Sequence, residues 1–450
     1  MLQRKAYEHL VKWKNTPDKK ALLITGARQI GKTYIIRKFA EENYSNFIEI
    51  NFITNPDAVK IFDGDLNAET ILINLTAYTQ KPLVKGDTLI FFDEIQECPS
   101  ARTAIKFLVD DGQFDYIESG SLLGVRYKEV KSYPVGYEEN YRMYPLDFEE
   151  FATANGIQPQ TIEYLKKCYN NKETVTEAVH QSLLKLFQYY IIVGGMPAVV
   201  QKFVDTKDIG EVLKNQKDIL DLYRQDISKY SDNNKEKIKS IFDLIPAQLN
   251  DRNRRFTLSD IKNSARMLRY ETSFNWLADA GVALPCYNIT EPVLPLELNL
   301  QNNLFKLFLC DTGLLCAASM GNIQFDILSG DLSVNMGSIL ENVFAQELVS
   351  NGFLLRYFNK KNIGEIDFIV QKGKSAVPIE IKSGNDYTKH KALDNLIAKQ
   401  SWNINSGIVF CKGNLKIENG IIYYPWYMSM FFKQETLPEH LKVNVDIVNI

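Results

Sequence analysis

The 450-residue chain is poor in the residues that build metal clusters and secreted scaffolds. Its six cysteines (Cys98, Cys168, Cys286, Cys310, Cys316, Cys411) are scattered without a CxxC pair, which suits neither a zinc site nor a disulfide framework. Its four histidines (His9, His180, His390, His440) stand apart, and none is assigned to catalysis. Long apolar runs are missing. LIFF at 89–92 and YYIIVGGM at 189–196 are far too short to span a bilayer. The start, MLQRKAYEHLVKWKN, has no apolar core of a secretory signal. Internal repeats, low-complexity tracts and long Gly/Ser linkers are absent. Charge of one sign is not in excess: 52 Lys+Arg face 55 Asp+Glu, a net of −3, which excludes a generally basic binder but not a local basic patch. With 45% hydrophobic and 24% charged residues, disordered and collagen-like chains are excluded as well. These absences predict a reduced, cytoplasmic protein without a membrane partner.

What is present has an order. At ~150 residues per domain, three domains fit. The first third alternates short apolar strands (ALLIT at 21–25, FIEINF at 47–52, TLIFF at 88–92, DYIES at 115–119) with helical stretches, the mark of a parallel sheet covered on both faces. From about Glu150 to Leu300 the pattern is mainly helical. Between Lys229 and Tyr270 lie ten basic residues against five acids, a local +5. TLSD at 257–260 fits a capping box, YETSFNWLADA a second helix ending at Gly281, and VALPCYNI a short strand. Helix, turn, helix and strand together suggest a winged helix. The last third is mixed: the helix GSILENVFAQELVSNG, strands LLRYF, EIDFIV and AVPIEIK, the helix HKALDNLIAKQ and the strand GIVFC.

Gly26-Ala27-Arg28-Gln29-Ile30-Gly31-Lys32-Thr33 matches G-x-x-x-x-G-K-[ST] in full, with a strand before it and a helix after it. The glycines let backbone N–H groups wrap phosphate oxygens at a helix N-terminus. Lys32 would reach the β- and γ-phosphates of ATP, and the Thr33 hydroxyl would coordinate Mg²⁺. About sixty residues on, the strand LIFF delivers Asp93 and Glu94. Asp93 is expected to hold Mg²⁺ and Glu94 to act as general base on the attacking water. Ser119 and Ser121, where DYIESGSLL leaves its strand, are candidates to sense the γ-phosphate. A plain Ser-Gly-Ser turn is the competing reading.

These stretches resemble the AAA+ ATPases, and one bacterial and archaeal family of them. The resemblance rests on GARQIGKT, FFDEIQECP (91–99), SGSLL (119–123), YPLDFEEF (144–151) and YIIVGGMP (190–197). NWLADAGV (275–282) and FKLFLCDTGLL (305–315) are similar to the domain of unknown function that usually follows in that family. The resemblance implies an arginine finger. Relatives often carry Gly-Arg before Pro-Leu-x-Phe, where this chain has Gly136-Tyr137, leaving Arg142 and Arg126 as substitutes.

A second constellation is Glu341, Asp367, Glu380 and Lys382. Glu380 and Lys382 stand at i and i+2 of a strand and so share a face. A hairpin would bring Asp367 beside Glu380, and Glu341 would come from the preceding helix. Three carboxylates and a lysine suit a Mg²⁺ site for phosphodiester hydrolysis, and the element order resembles the PD-(D/E)XK nuclease fold. The competing reading is a solvated sheet face.

The expected architecture is therefore α/β: a P-loop AAA+ parallel sheet (1–195), a helical, winged-helix-like region (196–300) and an α/β nuclease-like domain (301–450). The expected function is Mg²⁺-dependent ATP hydrolysis coupled to a C-terminal domain that acts on or binds nucleic acid. The alternative is an ATP-dependent switch or remodeller whose C-terminal domain binds a partner without cleavage. ATP, DNA or RNA, and a second copy of the chain are the candidate partners. The basic stretch would meet nucleic-acid phosphates, or Lys235, Lys237 and Lys239 would form a solvated helix face.

Overall fold

A computed structural model describes residues 2–120, 133–230, 234–251, 255–257, 270–319 and 336–435. Helix α1 (Lys5–Lys14) precedes a five-stranded parallel sheet of β1 (Ala21–Thr25), β2 (Asn46–Asn51), β3 (Thr88–Asp93), β4 (Asp115–Gly120) and β5 (Glu138–Arg142). Its spatial order is β2-β3-β4-β1-β5. Strand alternation splits the apolar side chains between two faces. Leu22, Ile24, Leu89, Phe91 and Ile117 enter the larger core, and Leu23, Ile48, Ile50, Ile90 and Phe92 a second one. The helices α2 (Lys32–Asn43), α3 (Ala68–Thr79) and α4 (Pro99–Asp111) connect these strands.

Register fixes the chemistry's address. Asp93 pairs with Ser119, and Thr25 with Gly120. The carboxyl ends of β1, β3 and β4 thus lie along one edge, the usual ligand edge of a parallel sheet.

Helices α5 (Phe148–Ala154), α6 (Pro159–Asn171), α7 (Glu177–Val193), α8 (Pro197–Thr206), α9 (Ile209–Tyr230), α10 (Lys235–Asn250) and α11 (Glu271–Asp279) follow. The strands β6 (Ala283–Ile289) and β7 (Leu300–Leu309) form an antiparallel hairpin after α11. Strand β6 also pairs in parallel with β8 (Arg356–Lys360), so the boundary drawn at residue 300 falls between paired strands. TLSD at 257–260 lies outside the described residues except for Thr257.

The strands β9 (Gly364–Ile366), β10 (Phe368–Lys372), β11 (Ser375–Ile381), β12 (Gly407–Cys411), β13 (Lys416–Glu418) and β14 (Ile421–Pro425) complete two further sheets, β7-β6-β8-β9 and β10-β11-β12-β14-β13. Where the sequence predicts one strand, EIDFIV, the chain breaks at Asp367 between β9 and β10. One core runs from Ala6 through Phe151, Phe187 and Phe344 to Phe432, so the C-terminal sheets pack against the first two thirds of the chain. Phe274 is core, edge-on to Phe305 at 4.9 Å. Among the described residues, no helix is long and apolar enough to cross a membrane.

Candidate nucleotide site

The loop after β1 turns through Gly31, which caps α2 with φ +86°, a backbone that favours glycine. Lys32 opens α2. Its ammonium donates to the loop's own carbonyls, Gly26 O at 3.0 Å and Ala27 O at 2.9 Å. Burial pushes the Lys32 pKa down to about 8.

Four elements bring their groups to Asp93. Thr33 Oγ1 donates to Asp93 Oδ2 at 3.0 Å. Asn51 Nδ2, from the end of β2, donates to the same oxygen at 2.9 Å. The Ser119 hydroxyl and the Glu94 N–H donate to Asp93 Oδ1. A hydroxyl and a carboxylate 3.0 Å apart are hard oxygen donors and fit Mg²⁺. Glu94 follows in a left-handed conformation (φ +56°), and its Oε2 accepts from Gln96 Nε2 at 2.6 Å. Ser121 and Arg126 lie outside the described residues.

A cleft of about 590 Å³ opens beside the loop, lined by Arg4, Gln29, Gly31, Tyr34, Ile35 and Pro197 among others. Pro197 belongs to the Gly-Gly-Met-Pro stretch, which gives that motif a physical role at the mouth of the site. Arg4, just before α1, braces the loop by donating to Ile30 O at 3.0 Å and Tyr144 O at 2.7 Å.

The helical middle grips the same loop. Arg28 pairs with Asp226 of α9 at 2.6 Å, and Tyr223 OH donates to Arg28 O at 3.0 Å. Gly281, after α11, lies so close that a Cβ there would stand 2.9 Å from Ala27 N. Arg142 Nη2 donates to Ala278 O at 2.7 Å. A cation at a helix C-terminus is favourable, and this guanidinium is thus engaged within its own chain.

Two buried acids staple the next layer. Asp311 accepts from Gly195 N at 2.5 Å and Leu314 N at 3.0 Å, and burial pushes its carboxyl up to about 6. Glu347 accepts from Phe148 N and from Tyr190 OH, each at 2.9 Å, and burial raises it to about 8.

The second constellation assembles in part. The β10–β11 register sets Asp367 opposite Glu380, and Asp367 Oδ2 accepts from Ile381 N at 2.8 Å. Lys382 Nζ pairs with Glu380 Oε2 at 2.6 Å, while Glu380 Oε1 accepts from Leu393 N at 3.1 Å. Burial, and next the Asp367 charge, raises the Glu380 pKa. Glu341 takes a different partner. It is bonded by the fully buried Lys306 of β7 at 3.0 Å, and the same ammonium pairs with Glu365 at 2.6 Å. The expected convergence of three carboxylates is not found: among the described residues, no group of three His, Cys, Asp or Glu could hold a metal ion. The sequence reading missed Lys306 because it lies on a hairpin 35 residues before Glu341.

It also missed Asn51, Gln96, Tyr223, Asp226 and Gly281. Gln96 lies within the FFDEIQECP stretch with no role assigned to it there, and Gly281 was marked as a helix-ending glycine. Of the histidines, His180 bonds Tyr427 OH at 2.9 Å and His390 bonds Tyr423 OH at 2.6 Å, both buried.

Residues 18–152 match the family described as an AAA domain. Residues 184–324 match a domain of unknown function (DUF8612), and residues 336–428 another (DUF4143). No curated relative matches the sequence. Among solved structures, the chain is similar to the Walker-type ATPase PABY2304 of Pyrococcus abyssi (13% identity, 71% of this chain and 96% of that one, TM-score 0.40). It is also similar to the Aeropyrum pernix ORC1 protein in complex with DNA (12%, 74% and 93%, TM-score 0.29). A third is the Thermotoga maritima RuvB Holliday junction branch migration motor (12%, 63% and 89%, TM-score 0.29). At these scores the functional reading rests on the site itself.

Proposed function

We propose that this chain binds and hydrolyses Mg²⁺·ATP at the edge of its parallel sheet and passes the nucleotide state to a C-terminal region that binds a partner without cutting it. The observation that carries the ATPase reading is the meeting of Thr33, Asp93 and Ser119 beside the glycine loop and Lys32. Lys32 exchanges its loop carbonyls for β- and γ-phosphate oxygens. Thr33 and Asp93 are the residues that would hold Mg²⁺, and that ion would supply neutralisation of charge on the phosphates. Glu94 takes a proton from the attacking water, the Pγ–O bond to the leaving ADP breaks, and Ser119 stands at the γ-phosphate end. The apolar cleft of Tyr34, Ile35 and Pro197 suits the nucleoside.

Transmission is supported by the grip of α9 and of the turn after α11 on the loop. Arg28 is the hinge of this reading, because incoming phosphates compete with Asp226 for its guanidinium. The order of α10, α11 and the β6–β7 hairpin supports a winged-helix arrangement. The carboxyl end of α11 is bonded to Arg142, which fits coupling better than insertion into a nucleic-acid groove. Lys235 and Lys239 are exposed on α10, which suits contact with phosphates.

The nuclease reading draws on Asp367, Glu380 and Lys382 sharing one site. It is the weaker of the two, because Lys306 holds Glu341 and a backbone N–H plus Lys382 occupy Glu380. ATP turnover with Mg²⁺, with and without DNA or RNA, tests the proposal. Lys32→Ala is expected to abolish turnover. Turnover that survives in that variant would sink the phosphate-site reading.

A further inference from the structure

Gln96 sits in the tight turn Ile95–Glu97 that follows Glu94. Its Nε2 is the donor to Glu94 Oε2 at 2.6 Å. The other end of that amide, Oε1, is buried and finds no hydrogen-bond partner among the described residues. Burying an amide oxygen without a donor is costly, so the side chain is held by its bond to Glu94 and by packing rather than by a second polar partner. The packing surface is specific. A Cβ added to Gly120 would stand 2.5 Å from Gln96 Oε1, with Ile95 Cγ2 at 3.5 Å and no backbone atom among its nearest contacts. Gly120 directly follows Ser119, whose hydroxyl bonds Asp93. One amide therefore spans from the carboxylate of Glu94 to the end of the strand that carries Ser119.

We infer that Gln96 is a positioning residue for hydrolysis, an inference that rests on the ATPase reading above. Its N–H holds Oε2 of Glu94 and so turns Oε1 toward the water whose proton it accepts. A side chain at Gly120 would displace the Gln96 amide. The role is separable from nucleotide binding, since Gln96 bonds neither the glycine loop nor the residues that line the cleft.

The test is steady-state ATP turnover for the full chain and for Gln96→Ala and Gly120→Ala. Gln96→Ala is expected to lower kcat about tenfold or more and to leave KM for ATP within about twofold, the split of a group that acts on the chemical step. Gly120→Ala, which alters no group in the chemistry, should lower kcat in the same direction. Lys32-dependent turnover in the wild type, with kcat unchanged in Gln96→Ala and Gly120→Ala, overturns the inference. A wild-type chain without Lys32-dependent turnover overturns the ATPase reading and the inference with it.

Discussion

The chain holds two clusters of acids at strand ends, and they are finished in opposite ways. At the amino-terminal sheet, Asp93 is surrounded by neutral donors: a threonine, a serine, an asparagine amide and a backbone N–H. Among the described residues it makes no direct ion pair, and the Lys32 and Arg37 charges act on it without contact, at the place where a cation and phosphates would come. In the C-terminal sheets Glu341, Glu365 and Glu380 are paired with ammonium groups of the chain itself, while Asp367 accepts a backbone N–H. Lys306 bridges Glu341 and Glu365, and Lys382 covers Glu380. An internal ammonium does what a divalent ion would otherwise do. Acidic residues in a nuclease-like order are therefore weak evidence for a metal until their counter-charges are known.

The comparison can be broken at either end. The largest effect belongs to the first cluster. Glu94→Gln removes the proposed general base, and single-turnover ATP hydrolysis should slow about 10²-fold or more while nucleotide still binds. In the second cluster, Lys306→Met leaves two acids facing each other without a cation. Urea unfolding should register a loss of about 3–5 kcal/mol, and adding Glu341→Leu should restore most of it. If Lys306→Met unfolds like the wild type, the internal neutralisation described above is wrong.

Two smaller effects come from pH. The Lys32 ammonium titrates with a pKa near 8 in the free site, so ATP affinity is full below that value. KM for ATP should rise toward about tenfold per pH unit above it, as the proton is lost. A flat KM through pH 9 would contradict the buried position of Lys32. The gentlest effect is at Glu347, raised to about 8 in the fold from an ordinary value of 4.5. A raised acid favours the folded state fully below its unfolded pKa, and that contribution drains away as pH climbs from about 4.5 to about 8. Thermal melts of Glu347→Gln should lack this part of the decline, so the gap between the variant and the wild type narrows toward acid and widens toward pH 8.

How much was legible in the sequence follows from distance along the chain. The glycine loop, Lys32 and Thr33 lie within one strand–loop–helix unit, and the Asp93-Glu94 pair ends a wholly apolar strand. Local pattern suffices for both. Asn51 reaches Asp93 only because β2 pairs beside β3, and Asp226 reaches Arg28 across 198 positions. Neither carries a local signature. In the C-terminal third, strands β8, β10, β11 and β12 were readable from their alternation, and so was the hairpin that sets Asp367 against Glu380; GIVFC was read as the final strand, and β13 and β14 after it were missed. The ammonium of Lys306 was not readable, since its counter-ion role depends on β7 packing against the helix Met336–Ser350. The break at Asp367 was hidden for a similar reason: β9 pairs with β8, and β10 with β11.

The two clusters can be separated in one sample. ATP turnover and nucleic-acid cleavage are measured together for the full chain in Mg²⁺ or Mn²⁺, beside Lys32→Ala and Asp367→Asn. The account predicts ATP turnover that Lys32→Ala abolishes and Asp367→Asn leaves intact, with no cleavage in any sample. Cleavage by the wild type that disappears in Asp367→Asn would contradict it.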